Sequence, residues 1–207
     1  MKNTVSYIKK TSFFFPVNVM AGFVMVETLV AVSVILLAVP AVLSMTTKGI
    51  TIGAYAKNQM IASYLAEEGV EFVRNRRDYN LLKHESGDLG VQWDDGFDGG
   101  SDKCRPTGPN GGCTVDPLAT MDNIINRCNG CKIDTVPPSA GFRLYTDVNG
   151  VYSHNAAGTA TPFWRAVFVE QVSGQPDQYT ITSKVVWSTV YGQKNVSVSG
   201  FITNWLK

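Results

Sequence analysis

Hydrophobic and polar positions fall into three regimes along this chain. From Thr28 to Thr47 no residue is charged, and the middle of that run reads Leu29-Val30-Ala31-Val32-Ser33-Val34-Ile35-Leu36-Leu37-Ala38-Val39. Such a run predicts a helix of about 30 Å, which matches the hydrocarbon thickness of a bilayer. A core helix of a soluble protein keeps a polar side. This run has none, so it predicts a membrane span, and Pro40 is compatible because spanning helices tolerate proline as a kink. Beyond it, Ala54, Ala56, Met60, Ile61, Tyr64, Leu65, Val70, Phe72 and Val73 recur at roughly helical spacing, with Lys57, Asn58, Glu67, Glu68 and Glu71 between them. The pattern predicts that the helix continues as an amphipathic half, reaching Arg74, Arg76 and Arg77 as a solvated basic end and stopping at Asp78-Tyr79-Asn80. In the third regime, Phe163–Val172, Gln178–Val190 and Asn195–Trp205 carry the apolar, aromatic and β-branched residues of strands. Alternation places Tyr179, Ile181, Val185 and Trp187 on one face. The connectors Gly174-Gln175-Pro176-Asp177 and Tyr191-Gly192-Gln193-Lys194 are short, which predicts an antiparallel meander. Asn149-Gly150 marks a further hairpin within Gly141–Tyr152.

Between helix and strands the periodicity disappears. Eight of the 19 glycines lie between Gly87 and Gly112, and Glu85–Asp147 carries a local charge of −5. This stretch reads as a long loop region, the kind of segment that carries specificity. Its sign opposes a grip on nucleic-acid phosphates. The whole chain has 207 residues, 44% of them hydrophobic and 11% aromatic, with a net charge of +1. Those values exclude a disordered chain and a dedicated nucleic-acid binder with a basic stripe.

Cys104, Cys113, Cys128 and Cys131 all follow the apolar run. An even count outside a membrane predicts disulfides, and three connectivities are open. Zinc is the alternative, since Cys128-Asn129-Gly130-Cys131 supplies one half-site, but Cys104 and Cys113 are poorly spaced for the other. A redox role for that motif lacks a thioredoxin-like setting. Asp94, Asp95, Asp98 and Asp102 in a glycine-rich loop are weak calcium candidates, without the twelve-residue loop pattern. No cofactor is otherwise implied. His84 and His154 read as surface histidines. No nucleophile, base and orienting acid stand at motif spacing, so the chain reads as no enzyme.

Lys2, Lys9 and Lys10 precede the apolar run without an acid among them, which favours a cytoplasmic amino end and an exterior remainder. A secretory signal would use Phe13–Met20 and a cut near Ala21-Gly22, but Pro16 and Asn18 interrupt it and the stronger run lies after the cut. A signal anchor explains everything except Glu27, the lone charge between Thr11 and Thr47. A carboxylate at the edge of a span costs a few kcal/mol and marks a functional site.

The residues around it read Ala21-Gly22-Phe23-Val24-Met25-Val26-Glu27-Thr28-Leu29-Val30-Ala31. This resembles the prepilin signature of type IV pilins and of type II secretion pseudopilins. The segment Ile61–Glu71 and the close Phe201-Ile202-Thr203-Asn204-Trp205 resemble minor pilins as well. The resemblance implies a cut between Gly22 and Phe23 by a prepilin peptidase, N-methylation of Phe23, and Glu27 as fifth residue of the mature chain, where it meets the amine of a neighbouring subunit during assembly. Glycine before the cut lets a protease approach the backbone closely.

The expected organisation is a leader over 1–22, a membrane and polymerisation segment over 23–47, an amphipathic helix over 48–78, a Cys/Gly/Asp-rich insertion over 79–160 and a sheet over 161–207. The expected fold class is α+β and pilin-like, a long amino-terminal helix packed on a carboxy-terminal antiparallel meander. The function implied is structural: a minor pilin or pseudopilin, in the inner membrane with a cytoplasmic amino end and then in a periplasmic or extracellular filament. Its partners would be other pilins, prepilin peptidase and the inner-membrane assembly platform. The alternative is a filament-displayed adhesin or uptake module that binds through 79–160.

Overall fold

The computed structural model describes residues 21–97, 103–106 and 111–205, with the side chains of 21–23 left aside. The positions of Lys2, Lys9, Lys10, Asp98 and Asp102 lie outside the described residues. The chain divides into two units, 1–51 and 52–207.

In the first unit, helix α1 (Ala21–Glu85) begins and continues without a break through Pro40. Every described side chain from Val24 to Ile50 is exposed. Hydroxyls in this stretch bond back to their own helix: Thr28 to the Met25 carbonyl at 3.0 Å, Ser33 to Val30 at 2.7 Å and Thr46 to Val42 at 3.0 Å. Each polar group so paired needs no water, which is the condition for a helix in hydrocarbon. Among the described residues, this is the one helix long and apolar enough to cross a membrane.

The second unit holds the rest of α1 and a seven-stranded sheet. Its strands are β1 (Cys113–Val115), β2 (Ile125–Arg127), β3 (Arg143–Thr146), β4 (Tyr152–Ser153), β5 (Thr159–Gln171), β6 (Gln178–Thr189) and β7 (Gly192–Thr203), all paired antiparallel. β5 is the hub. One edge meets β6 along Phe163–Gln171, and β7 follows β6. The other edge is shared, β3 meeting the beginning of β5 and β1 meeting Val167. The meander is therefore as expected, with β3–β4 as the added hairpin. Short strands β1 and β2 lie in the stretch that reads as loop from sequence. Their three residues each are too few to show an alternation.

Packing follows the strand period. Tyr179, Ile181, Val185 and Trp187 of β6 and Phe163, Val167 and Val169 of β5 face α1 and bury Ala62, Leu65, Ala66, Val70 and Val73. The alternate residues Trp164, Ala166 and Val186 face the other way, under Cys128, Cys131, Ile133 and Phe142. The sheet is thus covered on both faces at β5, where residues 163–167 are all buried. At Gly69 the helix comes so close that an added Cβ would run into the Ser183 side chain. Leu65, Val70 and Val73 are buried as expected, but Met60 and Tyr64, expected on the same side, are exposed, and Ala62, Ala66 and Gly69 complete the buried stripe.

Two further expectations change. The helix does not stop at Asp78-Tyr79-Asn80 but runs on to Glu85. Asn80, which often competes with helix backbone, is fully buried and donates instead to the carbonyls of Trp93 at 3.1 Å and Asp95 at 2.8 Å. The connector after β6 is also shorter than expected, a two-residue turn at Val190-Tyr191 with Gln193 and Lys194 already in β7.

Candidate functional site

Glu27 stands six residues into α1, with Val30 and Ala31 one turn further on the same face. Its side chain is exposed, and no partner among the described residues meets its carboxylate. The next charged residue is Lys48, 21 positions and about 32 Å of helix away. The hydroxyls nearby are satisfied within the helix; the carboxylate is the polar group there that the chain's own described residues leave open. Gly22 and Phe23 lie on the first turn of α1. The site is therefore one carboxylate at the head of an exposed apolar stretch, able to accept hydrogen bonds or to pair with a cation.

The basic cluster at 74–77 is not the solvated helix end expected from sequence. Arg76 is only 7% exposed. Its guanidinium donates to the carbonyls of Asp95 (3.0 Å) and Met121 and to the Asp122 carboxylate (3.0 Å). Arg74 pairs with Glu71 and Arg77 with Asp78. Hydrogen bonds from Arg76 and then Lys83 hold the Asp122 carboxyl below its usual range. The cluster fastens the segment after the helix, because a guanidinium out of water needs acceptors all round it.

All four cysteines are oxidised, as Cys104–Cys113 and Cys128–Cys131, with Cα separations of 5.0 and 5.4 Å. The zinc alternative falls with this pairing, since no thiol remains free. One bridge lies in the helix-facing core and the other in the opposite layer. Of the calcium candidates, Asp94 accepts a hydrogen bond from the Tyr179 hydroxyl at 3.0 Å and Asp95 from the Gln92 amide at 2.8 Å. Among the described residues no three acidic, histidine or cysteine side chains gather as a metal site.

Arg165 was not singled out from the sequence. It is fully buried on the helix-facing side of β5 and donates to the carbonyls of Leu65 (3.2 Å) and Val115 (2.9 Å) and to the Glu68 carboxylate. Burial lowers its pKa, and Glu68 opposes that shift. The signal for it was available: one charge inside the apolar run Phe163–Val169, the same kind of anomaly as Glu27. His154 is not a surface histidine either. It is half-buried, its Nδ1 stands 3.1 Å from the Arg143 carbonyl, and the Gly141 backbone also lies beside its ring. Burial, and then the charge of Arg165, pushes its pKa down to about 3. His84 likewise turns inward, to the Val91 carbonyl at 3.1 Å.

Comparison of the chain with protein-family models, with curated sequences and with solved structures returned no match.

Proposed function

We propose that the protein is a structural subunit, of the minor-pilin or pseudopilin kind, in a type IV pilus-like or type II secretion filament. One observation carries the reading: a carboxylate without a partner among the described residues, Glu27, five positions after Gly22, at the head of a helical stretch, 24–50, whose side chains are all exposed. A prepilin peptidase would cut between Gly22 and Phe23 on the cytoplasmic side, and methylation would leave a cationic secondary amine on Phe23. Buried among apolar helices, that amine is strongly unfavourable without an anion. Glu27 of an incoming subunit supplies one to its neighbour, so only the register that joins the two charges is favourable. The apolar stripe then exchanges lipid for neighbouring helices as the subunit leaves the inner membrane. The disulfide-bonded α+β body, a pilin-like fold in this reading, stays on the exterior side.

The test separates processing from assembly. Glu27→Ala is expected to lose its leader normally and to be depleted from sheared filaments by about tenfold or more, on the scale of breaking a buried charge pair. Undiminished incorporation of that variant would overturn the charge-pair mechanism.

A further inference from the structure

We infer that the β6–β7 turn is a second membrane contact, with Val190 and Tyr191 entering the headgroup layer of an anionic bilayer. The inference rests on the reading of the Thr28–Thr47 run as a bilayer span.

Its first support is the direction of β6. Tyr179 packs in the cluster of Val70 and Val73, Ser183 lies against Gly69, and Trp187 packs with Ala62 and Leu65. The Trp187 ring also meets Tyr55, centroids 6.1 Å apart. β6 therefore runs toward the amino-terminal end of this unit's helix, and its turn lies at the end of the body where Ile52 enters. The second support is chain length. The uncharged run ends at Thr47, and the five residues on to Ile52 span at most about 18 Å even when extended. Chain connectivity therefore keeps Ile52 within that distance of the end of the uncharged run.

The third support is what the end displays. Val190 is 87% and Tyr191 77% exposed. The β3–β4 turn opens toward the same end, by the registers Thr146–Thr159 and Phe163–Trp187, and carries a fully exposed Val148. The β6–β7 turn is ordered: the Thr189 hydroxyl donates to the Gly192 carbonyl at 2.7 Å and accepts from the Tyr191 amide at 3.2 Å. Gly192 takes φ +100°, which a side chain would disfavour. These exposed apolar side chains on a fixed turn are not covered by any described residue. Tyrosine suits the interfacial layer, where its ring is apolar and its hydroxyl wet. The fourth support is charge. Lys57 and Lys194 flank this end and are exposed, and no acid occurs from Gln178 to Lys207. Asp147, the acid of the β3–β4 turn, is turned back onto the amides of Asn149 (2.9 Å) and Val151 (2.8 Å). Exposed lysines near a bilayer favour anionic headgroups.

The test uses the full chain, one copy per nanodisc, in bilayers with anionic lipid. Because no native thiol is free, single variants Val190→Cys, Leu89→Cys and Leu37→Cys can each carry an environment-sensitive fluorophore. Leu89 follows the carboxyl end of α1, at the far end of the body, and Leu37 lies within the apolar run. The expected result is quenching at 190 by lipids brominated near the headgroup that is at least about twofold stronger than at 89, as for an interfacial residue. Equal quenching at 190 and 89, with 37 quenched by deeply brominated lipid, overturns the inference and leaves the span standing. No deep quenching at 37 overturns the span, and the inference with it. Shielded emission at 190 without lipid quenching shows a protein surface on the turn, and also overturns the inference.

Discussion

Removing either partner of the Arg165–Glu68 pair is not equivalent, and the difference can be worked from the geometry. Arg165 has no exposed side-chain area, whereas Glu68 keeps 37%. Glu68→Ala leaves a guanidinium sealed in the core with two carbonyls, without its paired carboxylate and with only the more distant charge of Asp116. Stranding a buried charge costs about 3–5 kcal/mol. Arg165→Met leaves a carboxylate that can turn to water, and the replacement fills similar volume. Leu65 keeps its helical donor, so the main loss is the bond to the Val115 carbonyl, about 1–3 kcal/mol for a buried acceptor. The carboxylate variant is thus expected to be the less stable by about 2 kcal/mol. With a urea slope of about 2 kcal/mol per molar, its midpoint should lie about 1 M lower. Unfolding of the full chain in detergent, followed through the emission of buried Trp187, reads this directly. The double variant should fall close to Arg165→Met alone, because without the guanidinium nothing is stranded. A milder effect for Glu68→Ala than for Arg165→Met, or a double variant that adds the two losses, would refute the reasoning.

Gly69→Ala should destabilise the body by about 1–2 kcal/mol although alanine is the better helix former, because overpacking at the sheet outweighs propensity. Adding Ser183→Ala, which removes the hydroxyl in the way, should recover at least half of that in the same urea assay. Replacing both Cys104 and Cys113 by serine should cost about 2–3 kcal/mol through loss of loop closure; an unchanged midpoint would contradict a role for that bridge. His154 makes stability depend on pH. Its folded pKa of about 3 lies below the unfolded 6.5, so the unfolded chain binds the extra proton between those values. Its contribution is whole above pH 6.5 and is lost as pH falls toward 3, amounting to about 2 kcal/mol by pH 5. His154→Gln should flatten that slope between pH 7 and 5, and an identical slope in the variant would exclude His154 as its source.

The helix and the meander were legible in the sequence because long elements repeat their period many times: Tyr179, Ile181, Val185 and Trp187 alternate, and all are buried against α1. The segment between them was not, since β1 and β2 are held by pairing with a neighbour rather than by any pattern of their own. The helix end was misplaced for a related reason. Asn80 looks like a helix breaker until Trp93 and Asp95, distant in sequence, give its amide a buried partner. Arg76 looks like a surface charge because composition does not show which carbonyls converge on it, and Arg165, a lone charge in an apolar run, shows in the sequence as an anomaly but not which partners it meets. His154 was hidden by its polar neighbours in sequence, which are not its neighbours in space. Glu27 was legible because a charge in an uncharged run needs no tertiary information to stand out. Which cysteines pair was open in the sequence, and only proximity in the fold selects Cys104 with Cys113 and Cys128 with Cys131.

How the amino end is made decides whether the chain is a processed pilin-like subunit. Intact-mass and amino-terminal analysis of the protein taken from its native membrane should find a chain that has lost residues 1–22 and begins at an N-methylated Phe23. A mature chain that keeps Lys2, Lys9 and Lys10, or that begins at any other residue, would contradict that reading.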